Sequence, residues 1–155
     1  MQAAPDRSRL EEIITGFAGM EGATLPTLHA IQAAFGHIPE AAIQMIADAE
    51  NRSRAEIHGV VSFYHDFREQ SAGRCVLRLC RAEACQSMGV DALADRISGE
   101  LGLDFGSTAA DGSITLENVY CLGLCATAPA AMVNGKPIGR LTEARVEKLL
   151  REVAP

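Results

Sequence analysis

Four of the five cysteines in this 155-residue chain form two close pairs, Cys80-x4-Cys85 and Cys121-x3-Cys125. Thiolate sulfur is a soft donor, and two cysteines a few residues apart can serve one metal from one loop. If the two loops meet, they offer four thiolates to one site. A [2Fe–2S] unit takes two thiolates on each iron, so two pairs on two loops meet its requirement. Four-cysteine zinc sites use similar gaps, and spacing by itself leaves zinc open. A redox dithiol is the weaker alternative, because no Cys-x-x-Cys occurs. Four unrelated core cysteines would not explain two turn-rich pairs.

The residues around the second pair, Cys121-Leu-Gly-Leu-Cys125-Ala-Thr-Ala-Pro129, add chemical detail. Gly123 permits a positive-φ turn that points backbone N–H groups at sulfur, and such hydrogen bonds tune a cluster's reduction potential. The plainer reading is a tight loop that needs glycine for geometry alone. Cys75 lies five residues before Cys80, on the opposite face of the same strand by alternation, and reads as a buried thiol. His29 and His37 have no metal-ligating neighbour in sequence and read as packing or surface residues, while His58 and His65 suit a partner contact or a helix cap. Gly99-Glu-Leu-Gly102 lacks the third glycine and preceding strand of a dinucleotide fingerprint, and Gly135-Lys136 runs into Pro137 rather than Ser or Thr. Neither flavin nor NAD is expected to bind to this chain.

These cysteines need a scaffold that brings two loops together. Arg74–Cys80 reads as a strand, the stretch from about Gln86 to Leu101 as a helix, and Ile114–Tyr120 as a strand after an Asp111-Gly112 turn. Ala131–Asn134, a turn at Gly135 and a short strand near Ile138 follow. Thr142–Val153 closes the chain as a helix with Val146, Leu149, Leu150 and Val153 on one stripe. The order β-α-β-β-β-α is that of a small α/β domain of thioredoxin-like type. Strand ends that feed loops collect at one sheet edge, where the two cysteine pairs can meet.

The front of the chain reads as helices. Leu10, Ile13, Ile14 and Phe17 recur at helical spacing, as do Leu25, Leu28, Ile31, Gln32 and Phe35. A third helix follows Pro39, placed in its first turn, and turns Ile43 and Ile46 inward. Ser53-Arg-Ala-Glu56 has capping-box spacing and should start a fourth helix running through Tyr64. The pattern changes near Ser71-Ala-Gly73, which sets the expected division: a helical segment over 1–72 that docks a partner, and a cluster-binding α/β domain over 73–155.

Composition narrows the function classes. Hydrophobic residues at 48% and charged residues at 22% argue for a folded chain rather than a disordered one. A formal charge of -6 repels phosphate backbones, so nucleic acid is not an expected partner. The residues Met1–Glu12 meet charges before any apolar h-region, and no apolar run approaches the roughly 18 residues of a membrane span. A cytoplasmic protein without membrane insertion is expected. In a reducing compartment cysteines serve metal ligation or catalysis rather than disulfides.

The blocks Leu79-Cys-Arg-Ala-Glu-Ala-Cys-Gln-Ser-Met-Gly89 and Asn118-Val-Tyr-Cys-Leu-Gly-Leu-Cys-Ala-Thr-Ala-Pro-Ala-Ala-Met-Val-Asn-Gly135 resemble the 24-kilodalton subunit family of respiratory complex I. That family includes the matching subunits of NAD-reducing hydrogenases and of soluble NAD-dependent formate dehydrogenases. The resemblance spans nearly the whole chain, including His58-Gly-Val-Val-Ser-Phe-Tyr-His-Asp-Phe67. It implies a helical front segment, a thioredoxin-like domain, and one [2Fe–2S] cluster on Cys80, Cys85, Cys121 and Cys125.

The resemblance also implies docking on a flavin- and NADH-binding subunit, with FMN, NAD and any molybdenum cofactor carried only by partners. Tyr64-His-Asp-Phe67 and Cys80-Arg-Ala-Glu-Ala-Cys85 look most like the gamma subunit of a molybdenum-containing, NAD-dependent formate dehydrogenase. The expected role is then a redox subunit, non-catalytic alone, beside a formate-oxidising molybdenum subunit. The alternatives are the corresponding subunit of NADH:quinone oxidoreductase or of an NAD-reducing hydrogenase and, from other classes, a zinc-stabilised interaction domain or a thioredoxin-like dithiol enzyme.

Overall fold

The Asp6 carboxylate accepts the N–H groups of Ser8 and Arg9 at 3.1 and 3.4 Å and so caps the first helix, α1 (Arg7–Gly16). The computed structural model describes residues 6–153, with the Val153 side chain and Met1–Pro5 outside the described residues. The chain divides between Ser71 and Ala72 into two compact units.

The first unit holds α1, α2 (Thr24–Phe35), α3 (Glu40–Glu50) and α4 (Arg54–Phe63). Helix α2 stops where Gly36 turns left-handed, and α3 stops where Asn51 does the same. Pro39 caps α3 with an extended backbone instead of occupying its first turn, since its ψ of 143° lies outside the helical range. The capping box forms as expected: Ser53 Oγ accepts the Glu56 N–H, and the Glu56 carboxylate accepts the Ser53 N–H at 2.9 Å. Tyr64 is the residue after α4 rather than part of it.

Leu10, Leu28, Ile31, Ile43, Ile46 and Ile57 are fully buried together, as helical periodicity requires. Gln32 departs from that stripe. Its amide donates to Asp66 O and accepts the Arg68 N–H, both at 2.7 Å, and so ties down the segment after α4. The histidines take packing and surface roles: His29 packs against Phe67 in a tilted arrangement with ring centroids 4.9 Å apart, and His37 Nδ1 lies 3.1 Å from Phe35 O. His58 does not cap α4; it faces Glu69 from mid-helix at 3.6 Å, while His65 Nδ1 sits 3.2 Å from Phe63 O at the helix end.

The second unit is built on a five-stranded mixed sheet: β1 (Cys75–Cys80), β2 (Ser107–Thr108), β3 (Ile114–Val119), β4 (Ala131–Val133) and β5 (Lys136–Ile138). Its order is β2-β3-β1-β4-β5, with β1 and β3 parallel and the other pairs antiparallel. The parallel pair needs a long crossover, supplied by α5 (Glu83–Ser87) and α6 (Val90–Leu101). Sequence periodicity predicts one helix from about Gln86. Two form because Gly89 takes a φ of 80°, which breaks the helix between Ser87 and Val90.

Strand β2 escapes a periodicity reading because two residues carry no period. It is an edge strand held by the Asp111-Gly112 turn, where the Asp111 carboxylate accepts the Ser113 N–H at 2.9 Å. The core gathers Leu77 and Leu79 of β1, Leu116 of β3, Val90, Leu93 and Ile97 of α6, and Val146, Leu149 and Leu150 of α7 (Glu143–Val153). Cys75 lies in this core, and burial pushes its thiol above the ordinary cysteine range. No helix among the described residues is long and apolar enough to cross a membrane.

Candidate metal centre

Strands β1 and β3 run side by side in the same direction, and Cys80 and Val119 are register partners at their ends. Both cysteine loops therefore leave the same edge of the sheet at the same level. Beyond Cys80 the Arg81 N–H still donates to Val119 O at 2.8 Å, which keeps the two exits together. The sequence pattern places Cys85 in the loop between the strand ending at Cys80 and the helix from about Gln86. It lies instead inside α5, whose single turn carries it back beside Cys80.

Two residues beyond β3, Cys121 holds a φ of 92°, a left-handed conformation uncommon for a side chain other than glycine. Gly123 follows with a φ of 73°, and its N–H donates to Cys121 Sγ at 3.4 Å. The expected glycine turn thus aims an amide at sulfur. Cys125 opens a short 3-10 turn over Cys125–Thr127, which places Cys125 Sγ 3.8 Å from Cys121 Sγ.

Backbone amides bind the two pairs into one site. Burial acts to raise the Cys80 thiol, but hydrogen bonds from the backbone of Ala82, Cys121 and Leu122 and from the Cys85 thiol outweigh it and hold Cys80 below the ordinary range. Cys85 is raised by burial and by its bond with Cys80, against an opposing backbone bond from Ala130. Cys125 is raised first by its bond to Cys121. Ala130 serves both members of the first pair, since its C=O also accepts the Cys80 N–H at 3.0 Å. Cys80 and Cys85 are buried, 3% and 2% exposed, while Cys121 and Cys125 are exposed.

The four cysteines singled out by their spacing therefore come together, and Cys75 stands apart in the core. Sequence reasoning missed the backbone donors Ala82, Leu122 and Ala130. Any residue but proline can donate a backbone N–H, so no side-chain type announces them. Among the described residues, no group of three or more His, Cys, Asp or Glu side chains is placed to hold a single metal ion.

A helix-covered mixed sheet with two cysteine loops at the ends of adjacent parallel strands defines a class, the small α/β iron–sulfur proteins. Within it, the chain belongs to the thioredoxin-like [2Fe–2S] ferredoxin family, whose sequence profile matches residues 10–154. Its cofactor is one [2Fe–2S] cluster. The chain is 33% identical to HndA, a subunit of the NADP-reducing hydrogenase of Solidesulfovibrio fructosivorans, covering 91% of this chain and 82% of that one. It is 32% identical to a subunit of the NADH-quinone oxidoreductase of Pseudomonas aeruginosa, covering 94% and 87%. The crystal structure of an NAD+-reducing [NiFe]-hydrogenase superposes with a TM-score of 0.71 at 28% identity. That match covers 81% of this chain but only 22% of the hydrogenase chain.

Proposed function

We propose that this chain is an electron-transfer subunit whose [2Fe–2S] cluster is held by Cys80, Cys85, Cys121 and Cys125, beside the flavin of an NAD-dependent dehydrogenase complex. The observation that carries this reading is the meeting of both cysteine pairs at the ends of β1 and β3, with N–H groups of the Cys121 loop donating to the Cys80 sulfur. The donor set fits the cluster: soft thiolates come in two pairs, and backbone amides face sulfurs that would carry negative charge. Zinc also takes four thiolates, and the iron and sulfide assays below separate the two.

When bound, the cluster supplies one-electron redox chemistry. The chain's own contribution is positional. The buried pair anchors the site in the sheet, amides of Ala82, Cys121, Leu122 and Ala130 face the inner sulfurs, and the exposed pair faces outward. Hydride donors deliver two electrons together, so the reading assigns NADH oxidation to a flavin-bearing partner. That partner, rather than this chain, carries FMN and NAD.

For the assembled enzyme we infer a cytoplasmic, molybdenum-containing formate dehydrogenase. The support is the loop wording Tyr64-His-Asp-Phe67 and Cys80-Arg-Ala-Glu-Ala-Cys85. A second reading, a subunit of NADH:quinone oxidoreductase or of a hydrogenase, is favoured by the names of the relatives. Iron and acid-labile sulfide assays on the purified chain test the cluster, with two of each expected and colourless zinc protein overturning it. The native complex separates the two assemblies: molybdenum and formate-dependent NAD+ reduction are expected, and activity with hydrogen or quinone alone would favour the second reading.

A further inference from the structure

The loop that carries Cys125 is held from behind by the connector between β5 and α7. The Arg140 N–H donates to Thr127 O at 2.5 Å, and the Leu141 N–H donates to Pro129 O at 3.0 Å. Thr127 in turn donates its hydroxyl to Leu124 O at 3.1 Å, closing the turn on which Cys125 sits. These contacts require the connector to lie unusually close. A Cβ added at Gly139 would meet Thr127 Cβ at 2.8 Å and Thr127 O at 2.9 Å, and the Thr127 hydroxyl closer still. The connector also turns left-handed at Arg140, φ 52°, a conformation that a non-glycine residue keeps only when its surroundings enforce it.

One side chain braces the connector in addition to these backbone bonds. Arg145, in the first turns of α7, donates Nη1 to Gly139 O at 2.7 Å and to Arg140 O at 3.2 Å. Its backbone N–H is itself anchored, to Thr142 Oγ1 at 3.3 Å. We infer that Arg145 is a positioning residue for the cluster: it locks the Gly139–Arg140 connector, and the connector fixes the Cys125 turn and its spacing from Cys121. The inference rests on the proposed ligand set. It adds that the geometry of the exposed pair is set by a helix residue twenty positions further along the chain.

The test uses the full-length, cluster-loaded chain and the variants Arg145→Gln, Arg145→Lys and Gly139→Ala. Arg145→Gln is expected to speed cluster loss to a chelator by about tenfold, the scale of one hydrogen bond from a charged group, and to shift the EPR g values and midpoint potential of the reduced protein. Arg145→Lys keeps the charge and should restore part of both. Gly139→Ala should change the same signals by pushing on Thr127. If Arg145→Gln lowers the melting temperature but leaves the EPR spectrum, the potential and the rate of cluster loss unchanged, Arg145 merely supports α7 and the inference fails. Failure of the ligand reading looks different: Cys125→Ser would then leave the cluster signal untouched.

Discussion

Cys80 and Val119 face each other across a parallel strand pair, each the last residue of its strand. That single register assignment brings Cys80 and Cys121, forty-one positions apart, to the same edge of the sheet. A one-residue slip would turn every side chain of one strand to the other face and move Cys80 away from the amides of Cys121 and Leu122.

Each of Cys80→Ser, Cys85→Ser, Cys121→Ser and Cys125→Ser should bleach the visible absorbance or shift the EPR signal strongly. Cys75→Ser should keep two irons per chain, because Cys75 lies in the core apart from the other four. A normally folded but colourless Cys75→Ser protein would overturn the assignment.

In iron-free protein, alkylation followed by mass spectrometry should reach Cys121 and Cys125 about tenfold or more faster than Cys75, Cys80 and Cys85, since reaction needs access as well as thiolate. Loading the cluster should protect the two exposed thiols. Equal labelling of all five would contradict the burial pattern.

A chain beginning at Gly73 should still bind two irons, because the two units have separate hydrophobic clusters and the Gly73 N–H is needed within the second, on Thr115 Oγ1 at 2.7 Å. As a docking segment, the helical unit should carry most of the affinity for the flavin-bearing partner, with its loss appearing mainly in the dissociation rate. A shortened chain that loses iron yet still co-purifies with the partner would reverse this division of labour.

Ser53→Ala should destabilise the protein by about 1 kcal/mol through loss of the α4 cap, read from urea unfolding. Bonds from the Ser53 N–H and hydroxyl hold the Glu56 carboxyl below the ordinary glutamate range, helped by Arg52. A depressed carboxylate stabilises the fold above its unfolded-state value, about 4.3, and that contribution is lost as the pH falls through the folded value. The stability gap between the unmodified chain and Glu56→Gln should therefore be widest near neutrality and close on acidification below about pH 4. A gap independent of pH would show that Glu56 contributes no charge-dependent stability.

Many features of the protein are legible in its residues because the relevant signals are local. Helical spacing marks Leu28, Ile31, Ile43 and Ile46, the capping box marks the start of α4, and Gly123 marks a turn that presents an amide to sulfur. The pairing of Cys80 with Cys85 and of Cys121 with Cys125 is likewise visible as short spacing. Other features emerge only from the folded chain: α5 carries Cys85, Gly89 splits one expected helix into two, and β2 adds an edge to the sheet. The fold also settles which pair is buried, that the Ala130 C=O accepts the Cys80 N–H, and that the Gly139–Arg140 connector is bonded to Thr127 and to Arg145. These features depend on backbone groups and on contacts between residues distant in sequence. A backbone N–H leaves no mark on residue type, and which one reaches a given sulfur is fixed only when the sheet register brings the loops together.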